Sequence, residues 1–542
     1  MPVATFNKKY LSSLVGNLPD DKLSEEINKL GINIEKLGED EISVEISSNR
    51  PDLISAVGFA RALQLYSHRS KRYNYAIRDH EPVIEVNVGR AVKKVRPCIA
   101  SFVVMGLHFT NESLAELLNS MDKFTDTYGR ARRKIAIGMH NLDVVEGKLT
   151  YDAYADGRFV PLNSSKEMSY RQVLEDTDKG KKYAGALQHG KAMLYPALKD
   201  AVGTLALIPI LNSERTKVSA STRNVLIDVT GYSEYMINKT ADMLAAIFID
   251  MNGEVKRARI NYQDKEMMTP MMETREIMMP TRMAERDIGV EIGPNNVASL
   301  AAKMGYDAAY IGNKVRFNVP PYRLDVINEQ DIVEDIAIAY GYDYINPVPI
   351  RSVLSGLADP AAIRRTGVSE LMVGLGFNQM MNSYLTNDTI NFTNMRIEGN
   401  ATAIRIKNPK SEAITMMRTW VLPSLLRNIA LSLNEKTPLS VFEYDMVFSL
   451  SGKKPSEAYH LAAASSDPKV NFNGIKSVFE ALSYTLGLRC KLERYGHGSF
   501  IEGRCAKASA DGKAIGFFGE VHPEVLNAFG IEEPTVAMEL EL

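Results

Sequence analysis

The sequence predicts an α+β protein of several domains, and three observations support this class. The chain has 542 residues, which at roughly 100–200 residues per domain is enough for three or four folded units. Short alternating apolar segments, typical of strands, occur between longer segments with helical periodicity. Hydrophobic residues make up 45% and charged residues 24% of the chain, which excludes collagen-like, coiled-coil and wholly disordered proteins.

Net charge and cysteine content exclude further classes of protein. Because 64 Lys and Arg nearly balance 66 Asp and Glu, local basic patches would have to hold any nucleic acid. The three cysteines Cys98, Cys490 and Cys505 are far apart, which indicates free thiols rather than a disulfide framework or zinc site. Apolar segments such as Ile99–Phe109 are shorter than the roughly 18–20 residues of a membrane helix. With no export signal at the start, the sequence predicts a cytoplasmic protein without membrane spans.

Residues 1–85 are predicted to form the first domain. The segment Ile42–Ile46 alternates apolar and polar side chains, which is typical of a half-buried strand. The segment Ile54–Tyr66 places Ala, Leu and Phe on one helical face, and Pro51 before it favours a helix start.

Residues 86–265 are predicted to form a larger domain of mixed strands and helices. Phe102–Met105 and Ile135–Ile137 have strand composition, whereas Ala241–Met251 has the period of a buried helix. Two basic clusters, Arg130–Lys134 and Lys179–Lys182, lie in polar segments. A solvated charged face and a nucleic-acid contact are both possible for them, and composition favours the solvated face.

Residues 266–347 are predicted to begin with a methionine-rich connector and to continue as a small domain. Methionine adapts to irregular gaps and proline breaks helices, so the seven methionines from Met267 to Met283, with Pro270 and Pro280 among them, favour a packed connector. A copper site is less favoured, because no His or Cys lies nearby.

Residues 348–542 are predicted to form the last domain. Helical periodicity occurs in Ala361–Leu375, Leu422–Leu433 and Ile475–Leu486, and strand-like segments are Ala403–Ile406, Ser440–Glu443 and Ala514–Gly519.

An acidic cluster follows Pro320-Pro321, which enforces an extended chain. Asn328 can cap the next helix, on which Asp331, Glu334 and Asp335 stand at i, i+3 and i+4 and share one face.

With Asp325 on the preceding strand, four carboxylates lie close together. Oxygen ligands of this kind suit a hard cation such as Mg²⁺. Alternatively, the acids complement the helix dipole while Arg323 neutralises one of them. The residues alone leave both interpretations open.

Several catalytic signatures are missing from the sequence. We find no Gly-x-x-x-x-Gly-Lys-Ser/Thr phosphate loop, no Gly-x-Ser-x-Gly elbow, no His-Glu-x-x-His and no Gly-x-Gly-x-x-Gly after a strand. His140 and His522 are predicted to be structural or surface groups. For so long a chain, this shortage indicates chemistry carried out elsewhere.

The residues resemble the β subunit of phenylalanine–tRNA ligase along nearly the whole chain. The segment Val319–Pro347 is similar to that family's pattern, in which a Pro-Pro-x-Arg-x-Asp strand is followed by an Asp-x-x-Glu-Asp helix and a Tyr-Gly-Tyr motif. Other resemblances occur in order at Asn49-Arg50-Pro51-Asp52-Leu53, Asn212-Ser213-Glu214-Arg215-Thr216, Ile227–Gly231, Leu422–Leu426 and Gly519–Glu524. Their order makes the resemblance specific. The pattern is similar to the archaeal and eukaryotic type, which lacks the inserted oligonucleotide-binding and appended anticodon-binding domains.

The resemblance implies an (αβ)2 heterotetramer that makes phenylalanyl-tRNA from phenylalanine, ATP and tRNA. It implies that the C-terminal domain is a class II synthetase-like antiparallel sheet with flanking helices, and that this domain is catalytically degenerate. A small α+β domain and an α/β editing-type domain precede it. A separate α subunit carries out aminoacyl transfer, so the implied partners are that subunit and tRNA(Phe), with no membrane. The implied Mg²⁺ ligands are Asp325, Asp331, Glu334 and Asp335.

The resemblance also implies hydrolysis of tRNA wrongly charged with tyrosine. A pocket built to bind the tyrosine hydroxyl rejects phenylalanine, because its polar groups would be left unpaired. Asp228 and Thr230 share one face of a strand-like segment and, with Asn212 and Ser213, are the pocket candidates. Local hydrogen bonds at a strand end are the alternative. Ala206–Pro209 replaces the family's Ser-Phe-Pro-Pro, which predicts a less polar pocket.

Two other functions stay open. A stand-alone Mg²⁺-dependent phosphoryl-transfer enzyme would use the acidic cluster and turn over ATP without a partner. A tRNA-binding adaptor without an α subunit would be a stable monomer whose RNA binding depends steeply on salt.

Overall fold

The structure is a computed structural model that describes residues 2–67, 69, 75–77, 81–187, 194–349, 356–432 and 438–542. Its contacts divide the chain into two units, Met1–Pro349 and Ile350–Leu542. Both units contain sheets and helices, so the predicted α+β class is confirmed. Within the described ranges, no helix has the length and apolar character needed to cross a bilayer.

The first unit begins with a three-stranded antiparallel sheet in the order β1-β3-β2. Its elements are β1 (Val3–Asn7), α1 (Lys8–Val15), α2 (Asp20–Lys29), β2 (Asn33–Leu37), β3 (Glu41–Glu45) and α3 (Ala56–Tyr66). The helix start predicted at Pro51 is wrong, because Pro51–Ile54 forms a 3₁₀ turn. Helix α3 begins after Ser55, whose Oγ accepts a hydrogen bond from the Gly58 N–H at 3.0 Å.

A ten-stranded mixed sheet follows in the same unit. Its elements, with the small β8–β9 pair, are β4 (Ile84–Val88), β5 (Cys98–Met105), α4 (Asn111–Thr127), β6 (Ile135–Asn141), β7 (Leu149–Tyr154), β8 (Arg158–Phe159), β9 (Met168–Ser169), α5 (Tyr170–Asp176), α6 (Asp178–Tyr183), β10 (Tyr195–Lys199), β11 (Thr204–Leu207), β12 (Leu211–Asn212), β13 (Val225–Gly231), α7 (Glu234–Asp250), β14 (Glu254–Asn261) and β15 (Glu266–Thr269). The order is β12-β11-β10-β7-β4-β14-β5-β13-β6, with β15 beside β14.

Strand β4 runs parallel to β7 and β14, and the other pairs of this sheet are antiparallel. Helices α4 and α7 pack on one face. The opposite face of β13 carries Leu226, Asp228 and Thr230, because side chains alternate along a strand. The strands and the helix predicted for this region are confirmed.

The first unit ends with a second three-stranded antiparallel sheet, in the order β16-β18-β17. Its elements are β16 (Arg275–Pro280), α8 (Thr281–Ile288), α9 (Pro294–Lys303), β17 (Asp307–Ile311), β18 (Lys314–Val319) and α10 (Glu329–Tyr340). The methionine-rich segment forms β15 and β16, and its Met267, Met272 and Met279 are buried, which supports the packing interpretation.

The second unit contains a seven-stranded sheet in the order β19-β22-β23-β27-β26-β25-β24. Its elements, with the separate β20–β21 pair, are α11 (Pro360–Gly374), β19 (Asn378–Gln379), β20 (Leu385–Thr386), β21 (Met416–Met417), α12 (Leu422–Leu431), β22 (Leu439–Ser451), β23 (Lys454–Ser466), α13 (Phe472–Thr485), β24 (Cys490–Arg494), β25 (Phe500–Ala510), β26 (Lys513–Val521), α14 (Pro523–Phe529) and β27 (Thr535–Glu541). A π-helical turn occupies Thr389–Thr393.

This sheet is antiparallel except between β19 and β22. Helices α11 and α13 pack with one apolar cluster and α12 and α14 with another. The three predicted helices are confirmed, although residue 433, the predicted end of α12, lies outside the described residues. The strand predicted at Ala403–Ile406 is wrong, because the segment contributes only an isolated bridge at Arg405.

Glu116 on α4 is buried where this helix contacts β1. Burial raises the pKa of Glu116 to about 7, a hydrogen bond from the Asn7 backbone opposes the rise, and the nearby Glu41 adds to it. The folded protein therefore takes up a proton here at a pH where the unfolded chain has released it.

We expect Glu116→Gln to raise the melting temperature at about pH 8 and to change it little at about pH 5. As the pH rises from the ordinary carboxyl pKa of 4.5 to the pKa of about 7 in the folded protein, the free energy of unfolding of the wild-type chain falls by about 3 kcal/mol. Thermal unfolding followed by circular dichroism measures the difference. The control is Glu112→Gln, because hydrogen bonds at the helix start lower the pKa of this exposed carboxyl. An equal gain for Glu116→Gln at both pH values would contradict the prediction.

Candidate functional site

Asn328 and Asp331 form a capping box at the start of α10. The Asn328 Oδ1 accepts a hydrogen bond from the Gln330 N–H at 2.9 Å, as the sequence predicted for a cap. Asp331 Oδ2 accepts hydrogen bonds from the backbone N–H groups of Ile327 and Asn328 at 2.6 and 2.9 Å. This oxygen of Asp331 is therefore used to satisfy the helix terminus.

Arg323 is the cation among these acids. Its buried guanidinium donates to both oxygens of Asp325 at 2.9 and 2.7 Å and to Asp335 Oδ2 at 2.6 Å. The hydroxyl of Tyr306 donates to the same Asp335 oxygen. Burial works against the positive charge, but Asp335 and Asp325 outweigh it and raise the pKa of Arg323 well above its usual value. Arg323, Asp325, Asp335 and Tyr306 therefore form one charge-assisted hydrogen-bond network.

Glu334 is the exposed member of the acidic cluster. Partial burial, followed by the charges of Asp335, Asp331 and Asp325, raises the pKa of Glu334. The four carboxylates are therefore close enough to repel one another, as their spacing predicted.

The four predicted ligands do not fit a Mg²⁺ ion in this chain alone. Asp325 and Asp335 are bound to Arg323, and Asp331 is bound to backbone N–H groups. Across the described residues, no group of three or more His, Cys, Asp and Glu side chains is arranged to hold a metal ion. The magnesium site therefore stays a prediction from the resemblance, and the contacts agree better with neutralisation by Arg323.

A second ionic network lies beside the first and centres on Arg61 of α3. Arg61 donates to Asp250 Oδ2, at the end of α7, at 2.6 Å. Its guanidinium lies 3.6 Å from the ring centroid of Tyr322, and its Nη2 is 3.6 Å from Asp52. Asp52 also accepts two hydrogen bonds from Arg50, at 2.9 and 3.0 Å. Residues from three predicted domains therefore meet at one buried side chain.

A cavity of about 320 Å³ lies between α4, β6 and the segment that follows β12. Its apolar wall includes Met121, Met139 and Leu211, and its polar wall includes Asn212 and Thr216. Three cations, Arg132, Lys179 and Lys217, also line it. Asp122 lines it as well and pairs with Arg132 at 2.8 Å and with Lys179 at 3.6 Å, so the polar wall carries both charges beside the apolar wall.

A chain of hydrogen bonds runs inward from the cavity wall. Thr216 Oγ1 lies 2.9 Å from His140 Nδ1, and His140 Nε2 lies 3.0 Å from Asp228 Oδ1. Because a carboxylate only accepts hydrogen bonds, we assign the imidazole proton to Nε2, so that Nδ1 accepts from Thr216. Gly138 leaves room for this pair, since a Cβ there would lie 2.1 Å from the Asp228 oxygen.

The four predicted editing residues occupy different positions around this cavity. Asn212 lines it, and its Nδ2 donates to the Met139 carbonyl at 3.1 Å. Ser213 is buried and donates to the Val160 carbonyl at 3.3 Å. Thr230 is buried, and its Oγ1 accepts a hydrogen bond from the guanidinium of Arg96 at 3.1 Å. Asp228 reaches the cavity only through His140 and Thr216.

Ala206 is buried in the apolar cluster that also contains Leu226 and Ile99. On β13, Leu226 is two residues from Asp228 on the same face, and Ile99 on β5 is the direct strand partner of Thr230. The substitution of the family's serine therefore falls in a filled, apolar interior, which agrees with the predicted loss of polarity.

The basic cluster Arg130–Lys134 is not simply a solvated face. Arg130, Ala131 and Arg132 have φ values of 49°, 50° and 62°, a left-handed turn that costs roughly 1–2 kcal/mol per residue. The turn directs Arg132 inward, where Nη1 donates to the carbonyls of Pro209 and Ile210 at 3.2 and 2.9 Å.

Sequence reasoning did not identify the contacts that His140, Thr216 and Arg132 make. His140 and Gly138 are two residues apart and face Asp228 only because β6 pairs with β13. The period-2 spacing of His140 and Gly138 was the available signal, and it becomes informative once the strand pairing is known.

Comparisons with known proteins give consistent results. Residues 347–542 match the family described as the phenylalanyl tRNA synthetase beta chain CLM domain, and residues 277–342 match the tRNA synthetase B5 domain. The beta subunit of phenylalanine–tRNA ligase from Archaeoglobus fulgidus is 34% identical over 100% of this chain and 98% of its own. That from Methanocaldococcus jannaschii is 33% identical over 100% of both.

A solved structure is also similar. The N-terminal fragment of the phenylalanyl-tRNA synthetase beta subunit from Pyrococcus horikoshii aligns with a TM-score of 0.60 and 27% identity. The alignment covers 63% of this chain and 100% of that fragment.

We expect removal of Mg²⁺ with EDTA to leave the melting temperature of the isolated chain unchanged, because Arg323 supplies the positive charge. Arg323→Met leaves Asp325 and Asp335 uncompensated, an expected loss of about 3–5 kcal/mol. Thermal unfolding with and without the chelator measures both effects. Arg286→Met, at an exposed pair with Asp287, is the control and should cost less than about 1 kcal/mol. A chelator-induced loss as large as that of Arg323→Met would contradict this prediction.

Proposed function

The chain belongs to the family of phenylalanine–tRNA ligase beta subunits, and from this premise we propose that it supports the attachment of phenylalanine to tRNA(Phe) by an α subunit in an (αβ)2 heterotetramer. The observation that carries the proposal is the similarity to beta subunits over the whole chain. We also propose that it hydrolyses Tyr-tRNA(Phe), at the cavity lined by Asn212 and Thr216.

The absence of these catalytic motifs from the sequence supports the assignment of phenylalanine activation to the α subunit. The four catalytic motifs named above are absent from the sequence. Asp325 and Asp335 are bound to Arg323, and Asp331 is bound to backbone N–H groups. These features support a subunit that does not itself activate phenylalanine. They also count against a stand-alone phosphoryl-transfer enzyme that uses the acidic cluster.

Exposed apolar side chains on α11 support a partner subunit. This helix buries Val368 and Met372 against its own unit. On the remaining surface, Ile363 and Val373 are 61% and 57% exposed, and Met381, just beyond β19, is 88% exposed. Apolar groups this exposed favour a surface that another protein covers. We propose that α11 and the segment after β19 contact the α subunit.

The editing proposal rests on the lining of the cavity. Met121, Met139 and Leu211 provide an apolar wall for an aromatic ring, and Asn212 provides a polar group for its hydroxyl. Lys179 and Lys217 provide positive charge for the phosphates of the tRNA end.

The hydrogen-bond chain supports proton transfer during hydrolysis. In our mechanism, water attacks the ester carbonyl and gives its proton to Thr216 Oγ1 as Thr216 passes its own to His140 Nδ1. Asp228 stabilises the resulting imidazolium. The ester C–O bond breaks, the ribose oxygen leaves with the proton returned through Thr216, and free tyrosine is released.

We expect Thr216→Val to slow Tyr-tRNA(Phe) deacylation by the αβ complex about 10²–10⁴-fold, because the isosteric side chain interrupts proton transfer. Aminoacylation by the same complex should be unchanged. The control is Thr240→Val, at a buried threonine of α7 whose hydroxyl donates to the Met236 carbonyl. Radiolabelled Tyr-tRNA hydrolysis measures the rate. Full deacylation by Thr216→Val would rule out this route.

We expect the double variant Ile363→Asp and Val373→Asp to prevent assembly with the α subunit, because two carboxylates would be buried without partners. Co-expression followed by size-exclusion chromatography and aminoacylation measures assembly. Tyr484→Asp, at an 88% exposed residue of α13, is the control. A wild-type chain that stays a monomer in the presence of the α subunit would favour the adaptor function instead.

A further inference from the structure

A cleft of about 750 Å³ lies in the first unit, between α2 and the end of α10. One wall is α2, and the other is formed by Tyr66 of α3, Lys303 of α9 and residues 339–344. The cleft shares no lining residue with the proposed editing cavity and contains none of the four carboxylates of the acidic cluster. It is therefore an open cavity that the proposed function does not use.

Helix α2 presents a polar face to the cleft. The residues of this face are Asp21, Ser24, Glu25 and Asn28. Their spacing of i, i+3, i+4 and i+7 places them on one side of the helix, while Leu23 and Ile27 are buried on the other side. Within the described residues, the Ser24 hydroxyl and the Asn28 amide make no hydrogen bond. Both groups therefore remain available to a ligand in the cleft.

The facing wall is rich in tyrosine. Its members are Tyr66, Tyr340, Tyr342 and Tyr344. Tyr342 and Tyr344 are 60% and 67% exposed, and the Tyr344 ring packs so closely on Gly341 that a Cβ there would lie 2.9 Å from it. In the part of the chain that the structure describes, none of the four hydroxyls bonds to another protein group. The wall therefore combines open aromatic faces with available hydrogen-bond donors.

Three acids and two lysines line the cleft. Glu25 pairs with Lys29 at 2.5 Å, and Lys303 donates to a backbone carbonyl at the end of α10 at 3.4 Å. Among the described residues, Asp21 and Asp343 have no cationic partner. The cleft therefore carries two unpaired carboxylates, which attract a cation and repel the phosphates of a nucleic acid.

We propose that this cleft binds a proline-rich segment of another protein that carries an arginine or a lysine. Proline rings pack on aromatic faces, and a polyproline II segment makes no internal hydrogen bonds, so its carbonyls accept from the tyrosine hydroxyls. The polar face of α2 extends about 10 Å from Asp21 to Asn28, which matches about three residues of such a segment. The basic side chain pairs with one of the two unpaired carboxylates.

Fluorescence anisotropy of a labelled peptide tests the proposal. The full-length chain is titrated into a fluorescein-labelled peptide of one arginine followed by six prolines. We expect a saturable rise in anisotropy, with binding at least about tenfold tighter than for a peptide of arginine followed by alternating glycine and serine, which does not favour the polyproline II conformation. No saturable rise at protein concentrations up to about 1 mM overturns the proposal. Tighter binding of a labelled oligouridylate than of the peptide also overturns it, because the cleft would then bind nucleic acid.

A tyrosine variant tests the aromatic wall. Tyr344→Ser should weaken binding of the arginine–proline peptide about tenfold or more, because a packing face for proline is lost. The control is Tyr235→Ser, at a tyrosine of α7 that is 65% exposed and lies outside the cleft. Unchanged peptide binding in Tyr344→Ser contradicts the proposal, as does equal weakening by Tyr235→Ser.

A charge variant tests the two unpaired carboxylates. The double variant Asp21→Asn and Asp343→Asn should weaken the arginine–proline peptide about threefold or more and leave an uncharged heptaproline peptide unaffected. The control is Asp264→Asn, at an exposed aspartate outside the cleft. Equal binding of the arginine–proline peptide by the double variant and the wild-type chain contradicts the pairing with a basic side chain.

Discussion

The buried guanidinium of Arg61 is the interaction on which the first unit depends. It is held by Asp250 at 2.6 Å and by the ring of Tyr322, and Arg50 and Asp52 surround it. A charge this deeply buried is stable only when every partner is in place. Segments about 190 and 260 residues further along the chain must therefore reach the same point before α3 can pack.

The sequence predicted local secondary structure better than it predicted which side chains contact one another. The helix that Asn328 caps, the strand that contains Asp228 and the three predicted helices of the second unit all follow from periodicity and capping. These signals are local, so they can be read from neighbouring residues. The start of α3 was misplaced because Pro51 and Ser55 are both plausible helix starts, and the close approach of Gly58 to the Asp52 carbonyl decides between them.

The sites show the limit of a single sequence more clearly. Spacing correctly grouped four carboxylates near α10, but spacing does not reveal that Arg323 binds two of them and backbone N–H groups a third. In the same way, Asp228 was a candidate by its position on a strand, whereas His140, which connects it to the cavity, is 88 residues away in sequence. Long-range pairing of strands decides such contacts, and no pattern within one strand encodes it.

The left-handed turn at Arg130, Ala131 and Arg132 has a consequence for how this protein can change. Each of these residues has a left-handed backbone conformation, which glycine adopts with little strain. Glycine at position 131 would relieve this backbone strain, so Ala131→Gly is a substitution that would stabilise the protein. The turn directs Arg132 onto the carbonyls of Pro209 and Ile210, so the strained backbone keeps this wall of the cavity rigid. A turn with glycine would be more stable and more flexible, and the cavity wall would lose rigidity.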